Sequence, residues 1–247
     1  MGKNVYMGQE IAKLGGIPFE IRSLKEFSEL LTNARLSKVA FNFVNVHSFV
    51  ESSQNPEHFV SLTGGAVNLP DGAPIAYFLS RKYGKFEKLS GPNILQYLID
   101  NQKILEDRKI LLFGGASDVL KRLETLFDPK VVHVKSVNPG NVSIKDIDEM
   151  IKKYKEQFAW ADFCFVGLGC PKQELLCQEI ISHNSCLAFG FGAAFDFVVG
   201  AKKRAPKNMQ QMGLEWLHRL VSEPKRLFFR YLKTNTIFLY FVIRRRL

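Results

Sequence analysis

Short apolar runs recur along this chain, and most end at glycine or a polar turn before a stretch with helical spacing. "VAFNFVNV" (39–46) is rich in Val and Phe and bounded by polar residues, so it predicts a strand. From Ser48 to Leu62 the apolar positions recur at helical spacing. "AVNLPDGAPIAYFLSRKYG" (66–84) predicts a short strand, a Pro-Asp-Gly turn and a helix that stops at Gly84. A helix is expected over 91–102, then strand, Gly-Gly turn and helix over 109–127. "VVHVKSV" (131–137) predicts a strand and 143–158 a helix. "ADFCFVGLG" (161–169) and "SCLAFGFGAAFDFVVG" (185–200) add two strand-to-loop transitions. Strands alternating with helices in this way define an α/β protein built on a parallel sheet.

In such sheets ligands bind outside the carboxyl ends of the strands. Asp71-Gly72, Gly114-Gly115, Gly167 to Glu174 and Gly190 to Asp196 all follow predicted strands. Glycine admits close approach to the backbone, and helix N-termini offer N–H groups to phosphate oxygens. The pattern points to a nucleotide or sugar-nucleotide pocket, although βα turns also use glycine for geometry alone. Within "PKQE", Pro171 suits the first helical position and Glu174 the first turn. Lys172 and Gln173 are not explained by helix-start grammar. An amide suits the edge of a base or a sugar hydroxyl, and a capped helix start delivers it to the ligand face.

Composition narrows the class. The chain has 247 residues and 46% apolar content, enough for a sizeable core and against wholesale disorder. Its four cysteines, Cys164, Cys170, Cys177 and Cys186, form no CxxC pair and lie in apolar surroundings, which predicts reduced, buried thiols. The N-terminal residues lack the apolar core of a secretory signal, and Tyr6 stands where a myristoylation motif wants Ser or Thr. A cytoplasmic protein is expected. Charge is placed unevenly. Residues Lys202 to Leu247 hold twelve Lys or Arg and two acids, whereas residues 1–201 hold 22 of each sign. The whole net charge of +10 therefore lies in the tail, which predicts a localised anionic partner.

That tail interleaves Trp216, Phe228, Phe229, Tyr231, Phe238, Tyr240 and Phe241 with Lys and Arg. Rings facing the acyl boundary with cations toward anionic headgroups make an interfacial anchor. The apolar stretch Ile237–Ile243 is far shorter than the roughly 20 residues needed to cross a bilayer. The tail is thus expected to lie on an anionic membrane surface, the alternative being a helix packed on its own domain or on another subunit.

"LPDG", "FGG", "VGLGCPKQE", "GFGAAFDFVVG", "KRAP" and "MGLEWLHRLVSEPKRLFFRY" occur in the order and spacing of the WecG/TagA/CpsF glycosyltransferases, and the chain resembles them from about Asn45 to Tyr231. The resemblance implies a Rossmann-like parallel-sheet core, taken as residues 1–201, with a basic helical membrane-associating appendage, residues 202–247. It also implies an inverting transferase that needs no cofactor or firm metal site. Such an enzyme moves a sugar, often N-acetylmannosamine or its uronic acid, from a UDP donor to a polyprenyl-pyrophosphate-linked acceptor sugar. Products of the family include capsules, teichoic acid linkage units and lipopolysaccharide-associated polymers of the cell envelope. The expected location is peripheral, at the inner face of the plasma membrane, with self-association as a further expectation.

The resemblance also assigns roles. Asp71 matches the proposed catalytic base, and Asn45 the motif asparagine near a sugar. Gln173, Gly167 and Gly169 match the part that receives UDP, with Lys172 beside the diphosphate. Gly114 and Gly115 of "FGG", and Gly190, Gly192 and Asp196 of the second glycine-rich loop, complete the substrate-binding set. Arg81 matches an arginine in the helix after Asp71 that reaches a phosphate; Arg219, Arg226 and Arg230 match appendage cations that close over the leaving group, headgroup binding alone being their competing role. Phe43 departs from the family, which often has Thr or Ser there, and this bears on the sugar taken. "DID" (146–148) imitates a DxD metal motif but falls in a charged amphipathic segment, so no metal is assigned to it. "GFGAAF" has Phe195 in place of the last glycine of a dinucleotide fingerprint, which argues against a dehydrogenase. A nucleic-acid-binding protein using the tail is the alternative, but the body carries no such motif.

Overall fold

A computed structural model describes residues 11–32 and 38–244; the Met1-Gly2 and Tyr6 reading lies outside them. The described strands are β1 (Ala12–Leu14), β2 (Ile17–Phe19), β3 (Val39–Val44), β4 (Val67–Pro70), β5 (Lys109–Phe113), β6 (His133–Val137), β7 (Phe163–Val166) and β8 (Leu187–Gly190). Strands β3 to β8 form one parallel sheet in the order β4-β3-β8-β7-β5-β6, flanked by helices. The parallel α/β reading is met. An antiparallel β1–β2 hairpin, turned at Gly15-Gly16 with φ 55° and 86° and not expected above, packs outside this sheet.

The two sheet faces are built from different side chains because successive strand residues point opposite ways. Phe41, Phe163, Phe165 and Phe189 fill one face with rings, against Phe27, Leu95 and Leu98 from helices. Phe41 and Phe189, neighbours across β3 and β8, stack at 4.4 Å. The other face presents Ala40, Cys164 and Ala188, so the helix Lys172–His183 can approach closely with Leu176, Cys177 and Ile180. All four cysteines are free thiols, three of them buried and Cys170 half-buried.

Three helix expectations change. The segment from Ser48 to Leu62 is two helices, Val46–Gln54 and Pro56–Thr63. Asn55 accepts from His58 N at 3.1 Å and Pro56 takes the first position, so a new start interrupts the apolar periodicity. Pro171 is the residue before the helix Lys172–His183, not its first turn. The 143–158 segment is a 3₁₀ turn, Ile144–Asp146, followed by the helices Ile147–Lys153 and Lys155–Trp160. There Asp146 accepts from Ser143 N at 2.6 Å, a capping task that accounts for the first acid of "DID".

The C-terminal segment folds back over the carboxyl ends of the strands as helices Lys207–Gln211, Glu215–Ser222 and Pro224–Ile243. Phe238 of the last helix packs edge-on to Phe49 and Phe78 in a third apolar cluster shared with the hairpin. The opposite side of the same helices leaves Val221, Phe228, Phe229, Leu232, Leu239 and Ile243 exposed. No helix among the described residues is long and apolar enough to cross a membrane.

Candidate active site

The register of β3 and β4 builds the centre of the site. Val44 pairs with Pro70, so the next residues, Asn45 and Asp71, leave the sheet side by side. Asp71 N donates to Val44 O at 2.9 Å, which holds the turn to the neighbouring strand. Gly72 has φ 91°, a conformation that favours glycine and lets the chain swing from Asp71 into the helix Ala73–Tyr83. Asn45 does two jobs at once. Its Oδ1 accepts from Ser48 N at 3.1 Å and caps the helix Val46–Gln54, while its Nδ2 donates to Asp71 Oδ2 at 3.2 Å. Burial pushes the Asp71 carboxyl from 3.8 up to about 6. The Asn45 hydrogen bond opposes that rise, as do Arg219 and Lys88, while Glu215 adds to it. A carboxylate with this value is ionised at neutral pH yet basic enough to accept a proton.

The "PKQE" corner lies on the same side, at the ends of β7 and β8, and β8 pairs with β3. Gln173 is 6% exposed, and its amide is fully engaged. Its Oε1 accepts from Gly169 N at 3.0 Å; its Nε2 donates to Gly190 O at 2.7 Å and Glu174 Oε1 at 3.1 Å. The amide therefore ties the loop after β7 to the end of β8. Gly192, with φ 55°, must lack a side chain because a Cβ there would sit 2.6 Å from Gln173 Oε1. Glu174 is buried beneath it, and burial raises its carboxyl to about 7. His58 Nε2 lies 4.0 Å from Glu174 Oε2, 3.9 Å from Cys170 Sγ and 3.5 Å from Ser48 Oγ. Burial lowers His58 to about 4, helped by His47, so the imidazole is neutral at pH 7 and the contact with Glu174 is not a formed ion pair. Among the described residues, His58, Cys170 and Glu174 are the set that could hold a metal ion, their ligand atoms lying within 4.8 Å of one another.

A cavity of about 720 Å³ opens between these loops and the C-terminal helices. Asn45, Asp71, Gly169, Gln173, Gly190 and Gly192 line its core side. Arg219, Arg226 and Arg230 line the facing side, so residues from both parts of the chain converge. Arg226 Nε pairs with Glu223 Oε2 at 2.5 Å. Arg219 lies over the Phe197 ring at 5.4 Å, and the Nε atoms of Arg219 and Arg230 are shielded from water without a hydrogen-bond partner. His47 shares this wall, and burial together with Arg230, Lys233 and Arg219 holds it down at about 4. Phe43 also lines the cavity, stacked on Phe191 at 5.2 Å.

The other expected residues stand outside the cavity lining. Lys172 Nζ turns away and donates to Val142 O at 2.9 Å. Asp196 pairs with Lys202 at 3.2 Å. Arg81 is exposed in the last turn of its helix. Gly114, Gly115 and Gly167 pack the loops after β5 and β7 together around Leu168 and Phe195; a Cβ on Gly167 would fall 2.6 Å from the Phe195 ring. Conversely, Lys88, Arg204, Glu215, His47 and Cys170 reach the cavity without having been singled out. Cys170, Arg204 and Glu215 stand inside quoted motifs that marked the stretch and not the residue, whereas Lys88 and His47 join the site only through packing of distant segments.

An ionised carboxylate set against a wall of arginines is the equipment of a group-transfer enzyme whose leaving group is an anion. Residues 12–247 match the model of the Glycosyl transferase WecG/TagA/CpsF family, and the chain belongs to that family of glycosyltransferases. The match extends beyond the Asn45–Tyr231 stretch that carries the motifs and includes the hairpin and the final helix.

Proposed function

We propose that this protein is an inverting UDP-sugar-dependent hexosyltransferase. It moves N-acetylmannosamine, or another hexose or hexosamine, to a polyprenyl-pyrophosphate-linked acceptor sugar in bacterial surface polysaccharide synthesis. The observation that carries this reading is the Asp71 carboxylate, oriented by Asn45 and facing Arg219, Arg226 and Arg230 across one cavity. Asp71 takes the proton from the acceptor hydroxyl as that oxygen attacks the anomeric carbon from the face opposite the donor phosphate. The bond to the diphosphate oxygen breaks, and UDP leaves with the electron pair. The arginines neutralise the charge that develops on it.

Residues 1–201 are read as the catalytic core and 202–247 as the part that brings it to the lipid-linked acceptor. The exposed apolar side chains Phe228, Phe229, Leu232 and Leu239, on helices also bearing Lys225 and Lys233, support docking on anionic lipid at the cytoplasmic face of the plasma membrane. The test is transfer from a panel of UDP-sugars to a short-chain polyprenyl-pyrophosphate-GlcNAc acceptor, with and without EDTA and anionic vesicles. EDTA-resistant, vesicle-stimulated transfer from one donor is the expected result. Absence of transfer from every donor, with UDP binding intact, overturns the acceptor assignment.

A further inference from the structure

Beside the arginine wall, a second cationic pair faces the same cavity. Lys88 comes from the segment that leads into the helix Gly91–Asp100, and Arg204 from "KRAP". Both point at one carboxylate, that of Glu215 at the start of the helix Glu215–Ser222. Lys88 Nζ lies 3.4 Å from Glu215 Oε2, and Arg204 Nη2 lies 3.7 Å from Glu215 Oε1. All three side chains are less than a third exposed.

The fit of Glu215 is poor. Charge-assisted hydrogen bonds close to roughly 2.7–2.9 Å, and neither contact does so. Glu215 Oε1 is shielded from water and has no hydrogen-bond partner. An acceptor left in that condition is expensive. The cations, by contrast, are firmly placed. Arg204 Nη2 donates to Asn93 Oδ1 at 2.6 Å and reaches Ser90 Oγ at 3.4 Å, while Lys88 Nζ donates to Gln210 O at 3.1 Å. Two preset cations around an under-satisfied carboxylate describe a site shaped for an anion with more acceptor oxygens than Glu215 offers.

We propose that Lys88 and Arg204 form a phosphoryl-binding subsite, and that Glu215 is an internal stand-in which a substrate phosphoryl group displaces. This rests on the glycosyltransferase reading, in which phosphoryl oxygens come either from the donor diphosphate or from the pyrophosphate of the lipid-linked acceptor. The subsite shares its cavity with Asp71, and both Glu215 and Lys88 act electrostatically on that carboxyl. Exchange of a carboxylate for a phosphoryl group there is therefore felt by the base. Glu215 also ties the helix Glu215–Ser222 to the core through these two contacts.

The test is calorimetric binding of inorganic pyrophosphate, UDP and geranyl pyrophosphate to the full chain and its variants, each checked for an unchanged far-ultraviolet spectrum. Lys88→Gln and Arg204→Gln should each weaken pyrophosphate by about tenfold, the scale of a lost hydrogen bond to a charged group. Glu215→Gln should tighten it by several fold, and that gain should vanish in the Lys88→Gln/Arg204→Gln background. A Glu215→Gln variant that weakens binding as the other two do would show an interhelical latch and overturn the subsite. A gain that persists without Lys88 and Arg204 would show a general field effect and overturn it equally. Whichever of UDP or geranyl pyrophosphate repeats the pattern names the source of the phosphoryl group. Should UDP fail to bind while pyrophosphate keeps the pattern, the donor assignment falls and the subsite stands.

Discussion

Asn45 Nδ2 donates to Asp71 Oδ2 at 3.2 Å, joining two residues that are 26 positions apart in sequence and adjacent in the sheet. The bond depends on the parallel register of β3 and β4, in which Val44 stands opposite Pro70. It orients the carboxylate and holds its pKa below what burial alone would produce. The cap that starts one helix is thus part of the environment of the carboxylate proposed as the base.

Asp71→Asn should abolish most transfer, a loss of about 10²–10⁴ if the residue acts as general base, while UDP binding persists. The same change should stabilise the fold at neutral pH. Asp71 has a folded value of about 6 against 3.8 for the model compound, so the folded state holds the proton more tightly than the unfolded chain. Keeping the carboxylate ionised therefore opposes folding by at most about 3 kcal/mol. That penalty is absent below about pH 4, grows between pH 4 and 6 and is complete above it. Melting of the Asn variant against wild type at pH 4 and pH 8 checks the sign: the gain should appear only at pH 8.

Asn45→Ser should separate the two tasks of Asn45. Serine still caps a helix, so stability should change by less than about 1 kcal/mol. The bond to Asp71 is lost, so the acidic limb of the pH–rate profile should move to higher pH. Asn45→Ala should show the same pH shift plus about 1 kcal/mol of destabilisation from the lost cap. A profile unmoved in both variants would remove Asn45 as the group that tunes Asp71.

Gln173→Ala should act on the scaffold. It leaves Gly169 N and Gly190 O without their partner, and each buried group so stranded costs about 1–3 kcal/mol. Denaturant unfolding should show a loss in that range, with proteolysis accelerating first in the loops after β7 and β8.

The arginines should not be equivalent. Glu223 already holds Arg226, whereas Arg219 and Arg230 present Nε atoms without partners. Arg219→Gln and Arg230→Gln should each lower kcat by about 10²-fold, the scale of one lost transition-state donor, and Arg226→Gln by less. Single-turnover rates with saturating donor measure this directly.

Membrane docking is best tested on side chains that the fold does not need. Phe229 is 75% exposed, whereas Phe238 is 7% exposed and buried against Phe49 and Phe78. Phe229→Ser with Leu232→Ser should reduce co-sedimentation with anionic vesicles at unchanged melting temperature. Phe238→Ala should lower the melting temperature by removing a core ring, a loss of about 3–5 kcal/mol. Deleting residues 232–247 would remove both kinds of side chain at once, so the paired substitutions are the cleaner experiment.

Much of this protein was legible in its order of residues. Apolar runs with strand composition, each closed by a turn and followed by helical spacing, determined the parallel α/β class, because βαβ units leave that signature locally. Asp71, Asn45 and the basic tail were likewise visible as motifs. Tertiary structure decided what neighbours could not. Asn55 and Pro56 divided a helix that apolar spacing read as one, since capping geometry outweighs periodicity at a single point. Gln173 became a brace between loops because the end of β8 placed Gly190 within hydrogen-bond reach. Lys172 found its partner outside the cavity and Asp196 was taken up by Lys202 at its wall, while Lys88, Arg204 and Glu215 met inside it from three distant segments. Strand and turn preferences act over a few residues and can be read along the chain. A charge's partner depends on which surfaces the packed sheet and helices bring together, and only the folded chain determines that.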